Sequence, residues 1–169
     1  HITQKDQYGK DKHKSLDHSE SFVRVCQDGD LDIVKAMVER TQVELEAKDD
    51  TGYTPLLYAA IDGHLPVVQY LCEQGADKEA RDNSNSTPLH WAASNGQLPV
   101  VQYLCEQGAD KEARGADGDT PLHKAAYQGH FSVVQYLCEQ GADKEARDNN
   151  GYTPLHYAAA KGHLPVVQY

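Results

Sequence analysis

The chain has 169 residues, and its 26 acidic against 16 basic side chains leave a formal net charge of −10. That length suits one domain of ordinary size, and 39% hydrophobic with 25% charged residues suits a packed core under a solvated surface. The acidic balance argues against a grip on duplex nucleic acid and against docking on anionic lipid, both of which need clustered Lys and Arg. No apolar run reaches the ~18 residues of a membrane span, and the N-terminus has no apolar signal-peptide core.

Residues 1–20 are polar and charge-balanced, with Lys5, Lys10, Lys12 and Lys14 against Asp6, Asp11, Asp17 and Glu20. This segment reads as a mobile leader, with a docking tail as the functional alternative. Residues 21–43 carry a first helical unit around Phe22, Gly29, Leu31, Ile33, Val34 and Met37.

From residue 44 the chain repeats itself. Thr54-Pro55, Thr87-Pro88, Thr120-Pro121 and Thr153-Pro154 recur at steps of 33 residues, and Gly63, Gly96, Gly129 and Gly162 keep the same step. Such a period marks stacked supersecondary units, each too small to bury its apolar face alone. Within one unit, Thr87 is a helix N-cap and Pro88 occupies the first helical position, where its missing N–H costs nothing. Leu89, Ala92 and Ala93 form a face of small side chains, and Gly96 ends the helix in the left-handed region. Pro99 opens a second helix, in which Leu98, Val101, Leu104 and Cys105 form an apolar stripe closed by Gly108. Asp117-Gly118 marks a hairpin turn in the next unit.

Thr87-Pro88-Leu89-His90-Trp91-Ala92-Ala93, followed by Gly96, Leu98, Leu104 and Gly108-Ala109-Asp110, resembles the signature of ankyrin repeats. The resemblance implies an all-α repeat solenoid, an ankyrin stack of helix-turn-helix units joined by β-hairpin loops. Four copies cover 44–169, the last incomplete, and 21–43 resembles a divergent N-terminal capping repeat. Tyr169 falls where earlier copies continue Leu-Cys-Glu-Gln-Gly, so the natural chain is expected to run on. Leu57 stands where the family has His, and Asn85 where it has the hairpin Gly. Glu79, Glu112 and Glu145 replace the asparagine that the family's hydroxylation targets.

Several residue sets invite chemistry and have a structural reading. Cys72, Cys105 and Cys138 sit one period apart, beyond disulfide reach on stacked helices, and no Cys-x-x-Cys pair suggests zinc. They read as core residues and, as free thiols, fit a cytoplasmic or nuclear setting. In the family, the His of Thr-Pro-Leu-His hydrogen-bonds the Thr and ties units together, which accounts for His90, His123 and His156. His64, His130 and His163 read as turn residues near helix-ending carbonyls. Tyr70, Tyr103, Tyr136 and Tyr169 read as packing between second helices, with hydroxyls reaching water. The run Asp77-Lys78-Glu79-Ala80-Arg81-Asp82 reads as a solvated, partly ion-paired surface.

The informative positions are those that differ between copies. They lie at the hairpin tips and along the first helix: Tyr53, Tyr58, Asp62, Trp91, Asn95, Asp119, Lys124, Tyr127, Tyr152, Tyr157 and Lys161. Trp and Tyr offer large, rigid contact area with a polar tip and are favoured anchors in binding. In the ankyrin family these positions line the concave groove that binds partners. The expected function is therefore a non-catalytic protein–protein interaction scaffold with no metal or cofactor. It would hold a protein or peptide of basic or mixed charge and act as a cytoplasmic monomer. The alternative is the targeting region of a larger enzyme or signalling protein whose catalytic part lies beyond Tyr169. A spacer whose purpose is the stacking itself is a third reading.

Overall fold

The computed structural model describes residues 12–169, with side chains from Glu20 onward. Among the described residues there are helices and turns but no strand. The helices pair as α1 (Lys12–Asp28) with α2 (Leu31–Arg40), α3 (Pro55–Asp62) with α4 (Leu65–Glu73), and α5 (Pro88–Ser94) with α6 (Leu98–Glu106). The series closes with α7 (Pro121–Gln128) and α8 (Phe131–Glu139), then α9 (Pro154–Lys161) and α10 (Leu164–Val167). Residues 1–11 of the polar leader lie outside the described residues. From Lys12 that segment is helix, so the first helix of the capping unit starts well before residue 21. Neither Gly nor Pro interrupts Lys12–Asp28, so a helix anchored by the buried Phe22 and Cys26 continues through polar residues of adequate propensity.

Odd-numbered helices pack against one another in an inner row, and even-numbered helices form an outer row behind them. Ala59-Ala60, Ala92-Ala93 and Ala125-Ala126 are fully buried between inner helices, and their small side chains let the helices approach closely. Leu56, Leu89 and Leu122 join Leu71, Leu104 and Leu137 to make one continuous core along the stack. In the capping unit Val34 is buried, whereas Ile33 is 47% exposed.

The helix starts follow the chemistry of their residues. The Thr54, Thr87 and Thr120 hydroxyls accept backbone N–H bonds from the third residue of α3, α5 and α7, each with Pro at the first position. His90 Nδ1 accepts the Thr87 backbone N–H at 3.2 Å, and His123 Nδ1 accepts that of Thr120 at 3.1 Å. A backbone N–H can only donate, so Nδ1 carries no proton and the ring N–H is at Nε2. That Nε2–H donates to the next hairpin, from His90 to Asp119 O at 3.2 Å and from His123 to Tyr152 O at 3.0 Å. Leu57, fully buried, cannot make this bond from α3.

His64, His130 and His163 do more than close a turn. Their Nε2 atoms reach back to the preceding unit, to Gln27 O, Ser94 O and Tyr127 O at 2.8, 2.9 and 2.9 Å, and Gln97 Nε2 reaches Ile61 O at 3.1 Å. The charged run also departs from the ion-paired surface expected of it. Arg81 Nη1 donates to Asn85 O and to Arg114 O, and Arg114 Nη1 to Gly118 O and Arg147 O. Glu46, Glu79 and Glu112 accept the backbone N–H of Asp77, Asp110 and Asp143 one unit on. The charges therefore serve the backbone of neighbouring units, where a charged partner makes a stronger bond than an exposed ion pair supplies.

Candidate binding face

The inner helices and the hairpins together form one side of the stack, and three of the hairpins are built on an aspartate. Asp49 Oδ1 accepts Thr51 N–H and Tyr53 N–H, both at 2.9 Å. Asp82 Oδ1 accepts Ser84 N–H and Ser86 N–H at 2.8 and 2.9 Å, and Asp148 Oδ1 accepts Asn150 N–H and Tyr152 N–H at 2.9 Å. The turns close with Asp49 N to Tyr53 O, Asp82 N to Ser86 O and Asp148 N to Tyr152 O, a pairing too short to make a strand. Asn85, at φ 62°, takes the left-handed turn position that glycine holds in the other hairpins.

The second oxygen of each aspartate holds the aromatic on the following helix. Tyr58 O–H donates to Asp49 Oδ2 at 2.6 Å, Trp91 Nε1–H to Asp82 Oδ2 at 2.8 Å, and Tyr157 O–H to Asp148 Oδ2 at 2.5 Å. One carboxylate thus shapes the hairpin and orients the ring. Burial raises the Asp49 and Asp148 pKa values, but the accepted hydrogen bonds outweigh it and hold both below the usual carboxylate range. Burial and the bond to Asp49 push Tyr58 up to about 12. The bond to Asp148, with burial, does the same for Tyr157. None of these three aspartates is among the sequence-predicted site residues, and Asp82 is expected only as part of a solvated, ion-paired run. Their signal was available: each lies nine residues before its aromatic, and the pair is lost together in one unit, where Gly115 and Lys124 occupy the two positions.

The candidate side chains fall into groups. Tyr53 stands edge-on to Tyr58 at 5.2 Å and to Trp91 at 5.5 Å between ring centroids. Tyr157 meets Tyr127 at 5.7 Å and Tyr152 at 5.9 Å, and Lys161 Nζ lies 4.4 Å over the Tyr127 ring. Between the groups, Lys124 Nζ is 3.0 Å from Asp119 Oδ2. A concavity of about 340 Å³ opens there, between Trp91, Tyr127 and Tyr157, with Asp117, Asp119 and Lys124 in its lining. A larger one of about 760 Å³ lies between α1 and α3, and Asp62 and Tyr58 line it with Arg24 and Asp28. Asn95 stays apart: it caps the C-terminus of α5, and its Nδ2 donates to Trp91 O at 2.9 Å.

A family model described as "Ankyrin repeats (3 copies)" matches residues 22–115 and 112–169. The chain belongs to the ankyrin-repeat family. Among similar curated proteins, a BTB/POZ domain-containing protein 3 of Schizosaccharomyces pombe is 35% identical over 65 residues, 37% of this chain and 12% of that protein. A palmitoyltransferase akr1 of the same organism is 33% identical over 57 residues, 34% of this chain and 9% of that protein. The human ankyrin repeat and SAM domain-containing protein 3 is 40% identical over 47 residues, 28% of this chain and 7% of that protein. The chain thus spans a small part of the length of each. Ankyrin repeats generally mediate protein–protein interaction and are typically non-catalytic.

The remaining reactive groups have structural settings in this ankyrin stack. Cys26, Cys72, Cys105 and Cys138 are free. Burial pushes the Cys26 thiol up to about 12 and those of Cys72 and Cys105 to about 11, so they stay protonated at neutral pH. Burial pushes His90 and His123 below the usual imidazole value, which fits the neutral, Nδ1-accepting form described above. Tyr70, Tyr103 and Tyr136 are half-buried along the outer row, and no helix among the described residues is long and apolar enough to cross a membrane.

Proposed function

We propose that this ankyrin stack is a non-catalytic binding module that holds a protein or peptide along its inner, hairpin-bearing face. The observation that carries this reading is the aspartate-tethered aromatic row: Tyr58, Trp91 and Tyr157 are each fixed by donating a hydrogen bond to the aspartate of the hairpin before them. A ring already held in place loses little conformational entropy on binding, which is what an anchor requires. Tyr127 and Tyr152, 39% and 49% exposed, extend the apolar contact. Asp62, Asp119, Lys124 and Lys161 set the charge pattern, and a net charge of −10 favours a basic or mixed-charge partner.

The test compares capture of source-cell proteins by the parent chain, by Trp91→Ala/Tyr127→Ala on the inner face, and by Tyr103→Ala on the outer row. Loss of a bound protein from the first variant alone, with both variants folded by circular dichroism, is the expected result. Affinity for that purified protein should fall at least tenfold, as truncated aromatic anchors commonly cost. Retention within twofold would move the site away from this face.

A further inference from the structure

One unit of the array departs from the others at three linked positions. Where units one, two and four place Asp49, Asp82 and Asp148, unit three has Gly115, and where they place Tyr58, Trp91 and Tyr157 it has Lys124. The carboxylate has moved four residues on, to Asp119, the position of Tyr53, Ser86 and Tyr152. Gly115 is part of the same change, because a Cβ there would lie 2.7 Å from Asp119 Oδ1. The aromatic row is therefore interrupted, and the 340 Å³ concavity between Trp91 and Tyr157 occupies the gap.

The carboxylate in that gap is held by one ion pair and by no directed hydrogen bond. Asp119 is 8% exposed, and its buried Oδ2 accepts no hydrogen bond. Lys124 Nζ lies 3.0 Å from it without hydrogen-bonding alignment. By contrast Asp82, equally buried, accepts bonds on both oxygens. A guanidinium with two directed N–H donors matches such a carboxylate better than a single ammonium contact does. The neighbouring ring already attracts such a group, since Lys161 Nζ sits 4.4 Å over Tyr127.

We propose that this gap is an arginine slot, and that it selects a partner segment by one Arg side chain. This rests on the inner-face reading above and specifies it. The flat guanidinium would lie against Trp91 and Tyr157 and direct its N–H fork at Asp119, with exposed Asp117 at the rim. Lys124 is 37% exposed along its side chain and holds the place until the guanidinium displaces it. A lysine ammonium is a point charge and matches a planar carboxylate less well than an Arg fork, so Arg is preferred over Lys.

The experiment measures retention of four fluorescent heptapeptide libraries on the immobilised full chain. Flanks are random and the central residue is fixed as Arg, Lys, Leu or Glu. The Arg library should be retained most, about tenfold above Leu and Glu, the scale of a charge-assisted pair. Asp119→Asn should bring Arg down to the level of Leu. Lys124→Ala should raise Arg retention several-fold, a gain that unfolding cannot produce. Preference for Leu or Glu, or an Arg preference that survives Asp119→Asn, overturns the slot while Trp91-dependent retention keeps the inner-face reading. Retention of no library, or retention indifferent to Trp91→Ala, overturns the inner-face reading and the slot with it.

Discussion

Asp82 shows how much a single side chain decides in this molecule. Its Oδ1 folds the hairpin through two backbone N–H groups, and its Oδ2 fixes the indole of Trp91. Asp82→Ala removes both acceptor oxygens at a position 8% exposed and leaves donors unpaired. The expected loss is about 1–3 kcal/mol of stability. Trp91 is the single tryptophan, so its emission reports the site directly and should shift to the red as the indole N–H turns to water. An unshifted spectrum with unchanged denaturant midpoint would mean that the carboxylate does not tether the ring.

At the level of helices and turns, the glycines that follow the helices show why neighbouring units fit only one way. Gly129 and Gly141 both hold left-handed backbone, at φ 76° and 84°. A Cβ at Gly129 would lie 2.5 Å from His163 Nδ1, whereas one at Gly141 would meet nothing within 4 Å. Gly141→Ala should therefore cost only the left-handed strain of about 1–2 kcal/mol. Gly129→Ala carries the same strain and also pushes away the ring that bonds Tyr127 O. Urea titration of the two variants should place Gly129→Ala clearly lower in midpoint; equal midpoints would deny the histidine joint its role.

For the whole molecule, the joints predict how stability follows pH. His90 and His123 are held neutral in the folded chain, with pKa values below the ordinary 6.5, chiefly by burial. As pH falls below 6.5 the unfolded chain takes up protons before the folded one, so stability is fully present above that value and declines toward the folded pKa values. Asp49 and Asp148, whose pKa values are lowered from 3.8, add a second loss once pH falls through the carboxylate range. Thermal melts from pH 8 to pH 3 should show a first decline below about pH 6.5 and a steeper one below pH 4. His90→Gln/His123→Gln should melt lower at pH 8 and show a flattened first decline. An unchanged slope would mean that His90 and His123 do not carry the first decline.

The repeat architecture was legible from the sequence because it follows from local rules. Thr-Pro caps, left-handed glycines and alanine faces return every 33 residues, and each acts within a few residues of itself. The aromatic and charged inner-face positions were legible too, as the places where otherwise uniform copies differ. Tertiary structure decided what joins those positions. Asp49 with Tyr58, Asp82 with Trp91 and Asp148 with Tyr157 pair a turn with the next helix. His130 reaches the carbonyl of Ser94 36 residues earlier. The charged run, which composition suggests is solvated, bonds the backbone of adjacent units. Asp119 and Lys124 gain their meaning from the gap between rings on flanking helices. A pattern along the chain specifies what each residue can do locally, but a hydrogen bond or a slot between units depends on distance in space, which only stacking the units sets.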